Sequence, residues 1–265
     1  MLDSNLNTDR PARRTALIAQ ELARYDIAIA ALSETRLPDE GSLTEDQGGY
    51  AFYWKGYPTQ ERRLHGVGFA IRNSLARSIQ DTPTGLSARL MKMRVPLSRD
   101  RYATILSCYA PTLDSPEDAK DAFYEQLDAE LQRTPISDKL ILLGDFNARV
   151  GSSHQAWTGV VGRHGIGKVN TNGHRLLSLC SQNQLVITNT IFKTKDIHKG
   201  TWKHPRSGQW HMLDYVIVRQ RDRQDVLLTR AMRGAECWTD HHLVRSSLCL
   251  RIRPPIRKRP AKKEA

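Results

Sequence analysis

KLILLGDFNARVG, residues 139–151, is an apolar run that breaks abruptly into a glycine, an aspartate and an asparagine. The run reads as a strand buried on both faces, because no polar residue interrupts LILL. Gly144 permits a tight turn at its end. Asp145 and Asn147 stand two apart, so in extended backbone they share one side while Phe146 turns into the core. A carboxylate and an amide then converge on one small volume, where Asp145 suits a water or a metal and Asn147 suits donation to an anionic oxygen. An Asx turn that ends a strand fits the same tetrapeptide.

On the amino-terminal side lies the clearest helix, SPEDAKDAFYEQLDAELQR (115–133). Ser115 stands at its cap, Pro116 in its first position and Glu117 and Asp118 at its positive end, with Phe123, Leu127 and Leu131 at four-residue spacing. Further upstream, RRTALIAQELARY (13–25) predicts a helix and DIAIAAL (26–32) a buried strand that opens into the polar loop SETRLPDEG. GVGFAIR (66–72), ARLMKMRV (88–95) and RYATILSCYA (101–110) predict strands, and Trp54 in YAFYWKGY reads as core or sheet-edge packing. Past the Gly- and His-rich stretch 151–170, NGHRLLSLCSQN (172–183) predicts a helix. LVITNT (185–190), TWKHP (201–205), QWHMLDYVIV (209–218), DVLLTRAMR (225–233) and HLVRSSLCLRI (242–252) predict strands. So many apolar strands need cover on both faces, which points to one α/β domain of two sheets with helices outside.

The chain has 265 residues, 39% hydrophobic and 26% charged, enough to bury a full core and too apolar for a disordered chain. No apolar run approaches the roughly 20 residues of a membrane-spanning helix, and MLDSNLNTDRPARR lacks an apolar signal core, so a soluble, intracellular protein is expected. Cys108, Cys180, Cys237 and Cys249 form no C-x-x-C pair, which argues against a zinc module or a disulfide framework. The net charge is +12, and the stretch RIRPPIRKRPAKKEA (251–265), with seven basic residues and one acid, carries half of it. Such a tail suits a polyanion or a nuclear-import receptor, and equally a solvated linker.

Polar residues recur where apolar strands end, the places from which side chains reach solvent on a rigid base. Glu34 follows the first strand and offers a hard oxygen ligand to Mg²⁺ or Mn²⁺. Tyr109 stands just before Ala110-Pro111, where its phenol leaves the core. Asp214 interrupts a hydrophobic strand, and an unpaired carboxylate there is costly, so it needs a partner. TDHH (239–242) supplies a histidine: Asp240 and His241 lie on a turn, and an imidazole held by a carboxylate serves acid–base chemistry near neutral pH. Basic residues at His154, Arg163, His164 and Lys168, and at His198, Lys199, Lys203 and Arg206, fit either a DNA-backbone groove or solvated loops.

SETR, SCYAP, LLGDFN, the TW pair at Thr201, LDYVIV and TDHH resemble, in this order and spacing, the endonuclease/exonuclease/phosphatase family. Within it they are most similar to the apurinic-endonuclease-like domain of LINE-type (non-LTR) retrotransposons and to craniofacial development protein 2-like host proteins. The resemblance implies a four-layer α/β sandwich, two packed mainly antiparallel sheets flanked by helices, over residues 1–252, with 253–265 a basic flexible tail. It implies a Mg²⁺- or Mn²⁺-dependent DNA endonuclease that attacks a phosphodiester with water. Glu34 and Asp240 are then the metal side of the site, Asp145 the residue that orients or deprotonates water, and Asn147 and Tyr109 the phosphate holders. His241 stabilises developing charge, Asp214 fixes its tautomer, and Thr201 and Thr239 make supporting polar or phosphate contacts.

Two departures accompany the resemblance. The family's first central strand, which carries an asparagine, has no counterpart: Asn5 and Asn7 lie in the loop-like SNLNTDR. Thr239 stands where serine is common, and the double histidine leaves His241 preferred because it directly follows Asp240. A domesticated, inactive nucleic-acid-binding protein and a small-phosphoester phosphatase are the rival readings. DNA is the expected partner in a nuclear setting, without a membrane or an obligate protein partner, and the oligomeric state stays open.

Overall fold

Alternation within apolar strands builds the layers of this protein. The computed structural model describes residues 14–236 and 239–253. The first half runs α1 (Arg14–Arg24), β1 (Ile29–Ser33), β2 (Glu40–Glu45), β3 (Tyr50–Lys55), β4 (Val67–Arg72), the short α2 (Asn73–Ala76), β5 (Thr84–Ser87), β6 (Leu90–Pro96) and β7 (Tyr102–Tyr109). The second half runs α3 (Glu117–Arg133), β8 (Lys139–Asp145), α4 (Thr171–Gln182), β9 (Leu185–Ile187), β10 (Trp202–Lys203), β11 (Trp210–His211), β12 (Asp214–Arg219), β13 (Val226–Met232) and β14 (Leu243–Leu248).

Among the described residues one sheet has the order β1-β4-β3-β2 and a second the order β5-β6-β7-β8-β12-β9. Every pairing is antiparallel except β7 with β8. In the six-stranded sheet successive residues face opposite layers. Leu106, Cys108, Leu140 and Leu142 pack with Phe123 and Leu127 of α3 and Leu176 and Leu177 of α4. Their neighbours Ile105, Tyr109 and Ile141 pack with Val67, Phe69 and Ile71 of the other sheet. A third cluster joins Ala19 and Leu22 of α1 to Phe52 and Ala70 on that sheet's outer face. The result is helix, sheet, sheet, helix, the four-layer α/β sandwich. No helix among the described residues is long and apolar enough to cross a membrane.

Local chemistry moves several predicted boundaries. Pro116 occupies the cap position of α3 without a side-chain cap bond, and the Ser115 hydroxyl pairs with Thr112 Oγ1 at 3.0 Å instead. Helix α4 is capped by Asn170, whose side chain accepts from the Gly173 amide at 2.8 Å. LVITNT is a strand only over Leu185–Ile187; Thr188–Thr190 turn into a 3-10 helix, and Asn189 bonds the Asp214 carbonyl and the Val216 amide in place of a ladder. QWHMLDYVIV splits into β11, which pairs with β10 in a hairpin, and β12, which joins the large sheet. Strands β2, β3 and β5 add to the predicted set; Trp54 lies in β3, where its indole donates to the Pro38 carbonyl at 3.2 Å.

The first-strand question concerns Asn5, Asn7 and their neighbours, which lie outside the described residues, as does the tail beyond Arg253. Among the described residues β1 pairs with β4 alone and β14 with β13 alone, each with its other edge open.

Candidate active site

Strand register assembles the centre of the site. Parallel pairing sets Tyr109 beside Asp145, and antiparallel pairing sets Asp145 beside Asp214, so three polar side chains line up at one rim of the large sheet. Gly144, at φ +141°, makes this crowding feasible, since a Cβ there would overlap the Cys108 carbonyl. Beyond the strand, Phe146 is fully buried, and Asn147 takes a left-handed φ of 46°. The Asx turn forms: Asp145 Oδ1 accepts the Asn147 amide at 2.8 Å. Asn147 Nδ2 donates to the Ala110 carbonyl at 2.9 Å, and Asn172, buried at the start of α4, donates to the Asn147 carbonyl at 3.0 Å. A turn and a chemically armed loop thus coexist.

Glu34 approaches from the other sheet. It leaves β1 in the left-handed region at φ 52°, and its Oε1 accepts the Tyr109 phenol at 2.8 Å while Oε2 accepts Arg36 Nη2 at 2.7 Å. Burial first, then the Glu34 carboxylate, pushes the Tyr109 phenol upward, so it remains a donor at any working pH.

His241 completes the opposite wall. Its Nδ1 lies 2.9 Å from Asp214 Oδ2, a pairing that places the imidazole proton at Nδ1 and turns Nε2 away from the carboxylate. Burial opposes protonation of this ring, yet Asp214, Asp145 and Asp240 outweigh it and raise its pKa to about 9. Asp145 is 4% exposed, and its carboxyl is pushed well above the usual range by burial and by Asp214, with Glu34 adding to the effect and His241 opposing it. Ligand atoms of Asp145, Asp214 and His241 all lie within 4.8 Å of one another.

Thr201 is fully buried, and its hydroxyl accepts the Leu213 and Asp214 amides at 3.0 and 3.2 Å, so it fixes the entry to β12 and has no surface for a phosphate. Trp202 bridges to His241 in strand fashion, and its indole donates to Asp240 Oδ2 at 2.8 Å. Thr239 Oγ1 accepts the His241 amide at 3.2 Å, which shapes the turn. Glu34, Tyr109, Asp145, Asn147, Asp214 and His241 therefore share one rim, with Asp240 tied to its edge through Trp202.

Several contributors escaped the sequence reading. Asn172 and Asn189 act through backbone groups distant in sequence, and their only local signal is an asparagine at the edge of an apolar segment. His65 and Arg89 flank Tyr109: the two rings of His65 and Tyr109 are 5.8 Å apart, and Arg89 lies 5.1 Å over the Tyr109 ring. His65 stands just before GVGFAIR, and nothing in its neighbourhood marks it.

The chain is similar to known proteins over most of its length. Craniofacial development protein 2 from Bos taurus is 33% identical over 237 residues, 89% of this chain and 39% of that protein, and the Tragulus javanicus protein of the same name is 32% identical over 240 residues. The chain thus spans about two-fifths of the length of these relatives. Among solved structures, the Xenopus laevis APE2 catalytic domain superposes with a TM-score of 0.61 at 16% identity, over 90% of this chain and 89% of that one. The endonuclease domain of TRAS1, a telomere-specific non-LTR retrotransposon, superposes with a TM-score of 0.57 at 17% identity, over 89% of this chain and 92% of that one. At such identities these two establish the fold. The pattern of the Endonuclease/Exonuclease/phosphatase family matches residues 4–251, and the chain belongs to that family.

Proposed function

We propose that this chain is a metal-dependent phosphodiesterase that nicks DNA by water attack, as an endonuclease of retrotransposon descent. The observation that carries this reading is the continuous rim Glu34–Tyr109–Asp145–Asp214–His241, held by a 2.8 Å bond at one end and a 2.9 Å bond at the other. Residues 253–265 serve it as a basic arm for polyanions.

A divalent cation fits the donor set, because burial and the facing Asp214 hold the Asp145 carboxyl away from ionisation and a hard cation reverses that penalty. Glu34 and Asp240 are the residues to hold Mg²⁺ or Mn²⁺, which when bound offsets the charge of the phosphate and the leaving oxygen. Asp145, its pKa lifted toward neutrality, accepts a proton from the attacking water. The free amide proton of Asn147 donates to a phosphate oxygen, and the Tyr109 phenol turns its single proton from Glu34 Oε1 to a second one when substrate is bound. His241, protonated below about pH 9 and oriented by Asp214, presents its Nε2–H to the charge that develops as the phosphorus–oxygen bond breaks.

Plasmid nicking in Mg²⁺ tests the reading. Wild-type protein is expected to convert supercoiled to open-circular DNA, while His241→Ala and Glu34→Ala fall by about 10²-fold or more. Equal rates in all three proteins reject the assignment.

A further inference from the structure

Arg89 is a half-buried cation held by neutral partners. Its Nη1 donates to the Tyr109 carbonyl at 3.1 Å, its Nη2 meets His65 Nε2 at 2.8 Å, and its Cζ lies over the Tyr109 ring, 5.1 Å from the ring centre. The Tyr109 amide in turn donates to the Arg89 carbonyl at 2.9 Å, which fixes both ends of the contact. For Arg89 to donate, His65 must be neutral with its proton on Nδ1. Burial and the adjacent guanidinium lower the His65 pKa and favour that state.

Several partly buried cations of this fold have carboxylate partners, whereas Arg219, like Arg89, has none within ion-pair distance among the described residues and bonds the Thr134 carbonyl. Lys92 pairs with Glu130, Arg94 with Asp138, Lys120 with Glu117, and Lys139 with Asp222 and Asp225. Among the described residues no carboxylate lies within ion-pair distance of Arg89, and burial depresses its pKa while only the more distant Glu34 and two tyrosines oppose that. A guanidinium withdrawn from water without a counter-ion is costly unless an anion arrives. The cost is incurred beside Tyr109, itself a member of the reacting rim, and the loop that carries His65 also exposes Arg62 and Arg63. Arg36, on the same side, is already committed to Glu34.

We propose that Arg89, seated on His65 and Tyr109, is a second phosphate-binding position of the cleft, taking a phosphodiester group that flanks the one to be cut. The inference rests on the DNA reading above. Arginine suits the task because its planar fork keeps donors for an anion after two are used to hold the side chain in place. The ligand class is a phosphodiester chain rather than a lone phosphate, since the scissile group occupies the Tyr109–His241 rim.

Binding of a fluorescent duplex oligonucleotide in EDTA, so that no strand is cut, tests the proposal. Neutral methylphosphonates replace phosphates one position at a time. In wild-type protein one flanking position is expected to weaken binding about tenfold. In Arg89→Gln that penalty disappears at that position alone, and the log–log salt slope falls by about one; Arg89→Lys keeps the slope. Additive penalties at every position, or an unchanged slope in Arg89→Gln, overturn the proposal. If Arg89→Gln does not fold, the Arg89 Nε–H resonance in wild-type protein decides: it shifts with the native duplex and stays still with the methylphosphonate one, and equal shifts overturn the proposal. Wild-type binding without nicking in Mg²⁺ sinks the hydrolase reading and leaves this one standing; nicking with additive penalties does the reverse.

Discussion

Asp145 and Asp214 are direct register partners across β8 and β12, two carboxylates side by side on one face of the large sheet. Like charges in that position oppose each other, and Asp145 is nearly withdrawn from water as well. The fold tolerates the pair because His241 bonds Asp214 and the Asn147 amide bonds Asp145. Function and instability therefore share one address.

Asp145→Asn is expected to raise thermal stability while lowering nicking by about 10²- to 10⁴-fold. A carboxyl whose folded pKa is raised contributes stability below its ordinary range and loses it as pH climbs through the raised value. Asparagine keeps the acceptor for the Asn147 amide and never ionises. Melting curves at pH 5 and pH 8.5 check this: the gain over wild type should be larger at the higher pH.

His241 gives the opposite mutational signature. Its pKa of about 9 exceeds the ordinary 6.5, so its stabilising share is fully present below pH 6.5 and is lost as pH rises through 9. Asp214→Asn should lower the His241 pKa, move the alkaline limb of the nicking profile to lower pH and flatten the alkaline loss of stability. Titration of the His241 ring resonances measures the shift directly, and an unmoved pKa contradicts the assigned pairing.

Tyr109→Phe removes the phenol that anchors Glu34 Oε1. The half-saturating Mg²⁺ concentration for nicking should rise several-fold, and the stabilisation of wild-type protein by added Mg²⁺ should shrink. The fold should change little, because Arg89 holds Tyr109 through its backbone and ring. Mg²⁺-dependent melting of wild type, Tyr109→Phe and Glu34→Gln separates the effects.

Thr201→Val strands the Leu213 and Asp214 amides in a fully buried position and should destabilise by about 1–3 kcal/mol, whereas Thr201→Ser should restore most of that. Chemical denaturation of the pair measures it. A Val variant as stable as wild type contradicts the backbone-anchor role.

The layered fold was legible in residues 139–145, where the unbroken run LILL demands cover on two faces, and the structure buries alternate side chains there and along 101–110 against different layers. Strands β2 and β3 were harder to read, since β2 alternates between exposed and half-buried residues and its glycine sits under the Trp54 ring. LVITNT misled as a full strand because side-chain bonds from Thr188 and Asn189 replaced the ladder, and a local pattern carries no trace of partners in β12.

Residue type and order, read together with the family resemblance, singled out the acidic, amide, phenolic and imidazole groups of the rim, most of which stand where an apolar run stops and backbone turns toward solvent. Pairing across the sheets settled the rest. It put Tyr109, Asp145 and Asp214 in one row, drew Glu34 across the sandwich to a phenol 75 residues away, buried Thr201 behind the row, and set Arg89 on His65 without a counter-charge. Register and burial arise between segments distant in sequence, and the energies that shift a pKa or leave a cation unpaired exist only once those segments have met.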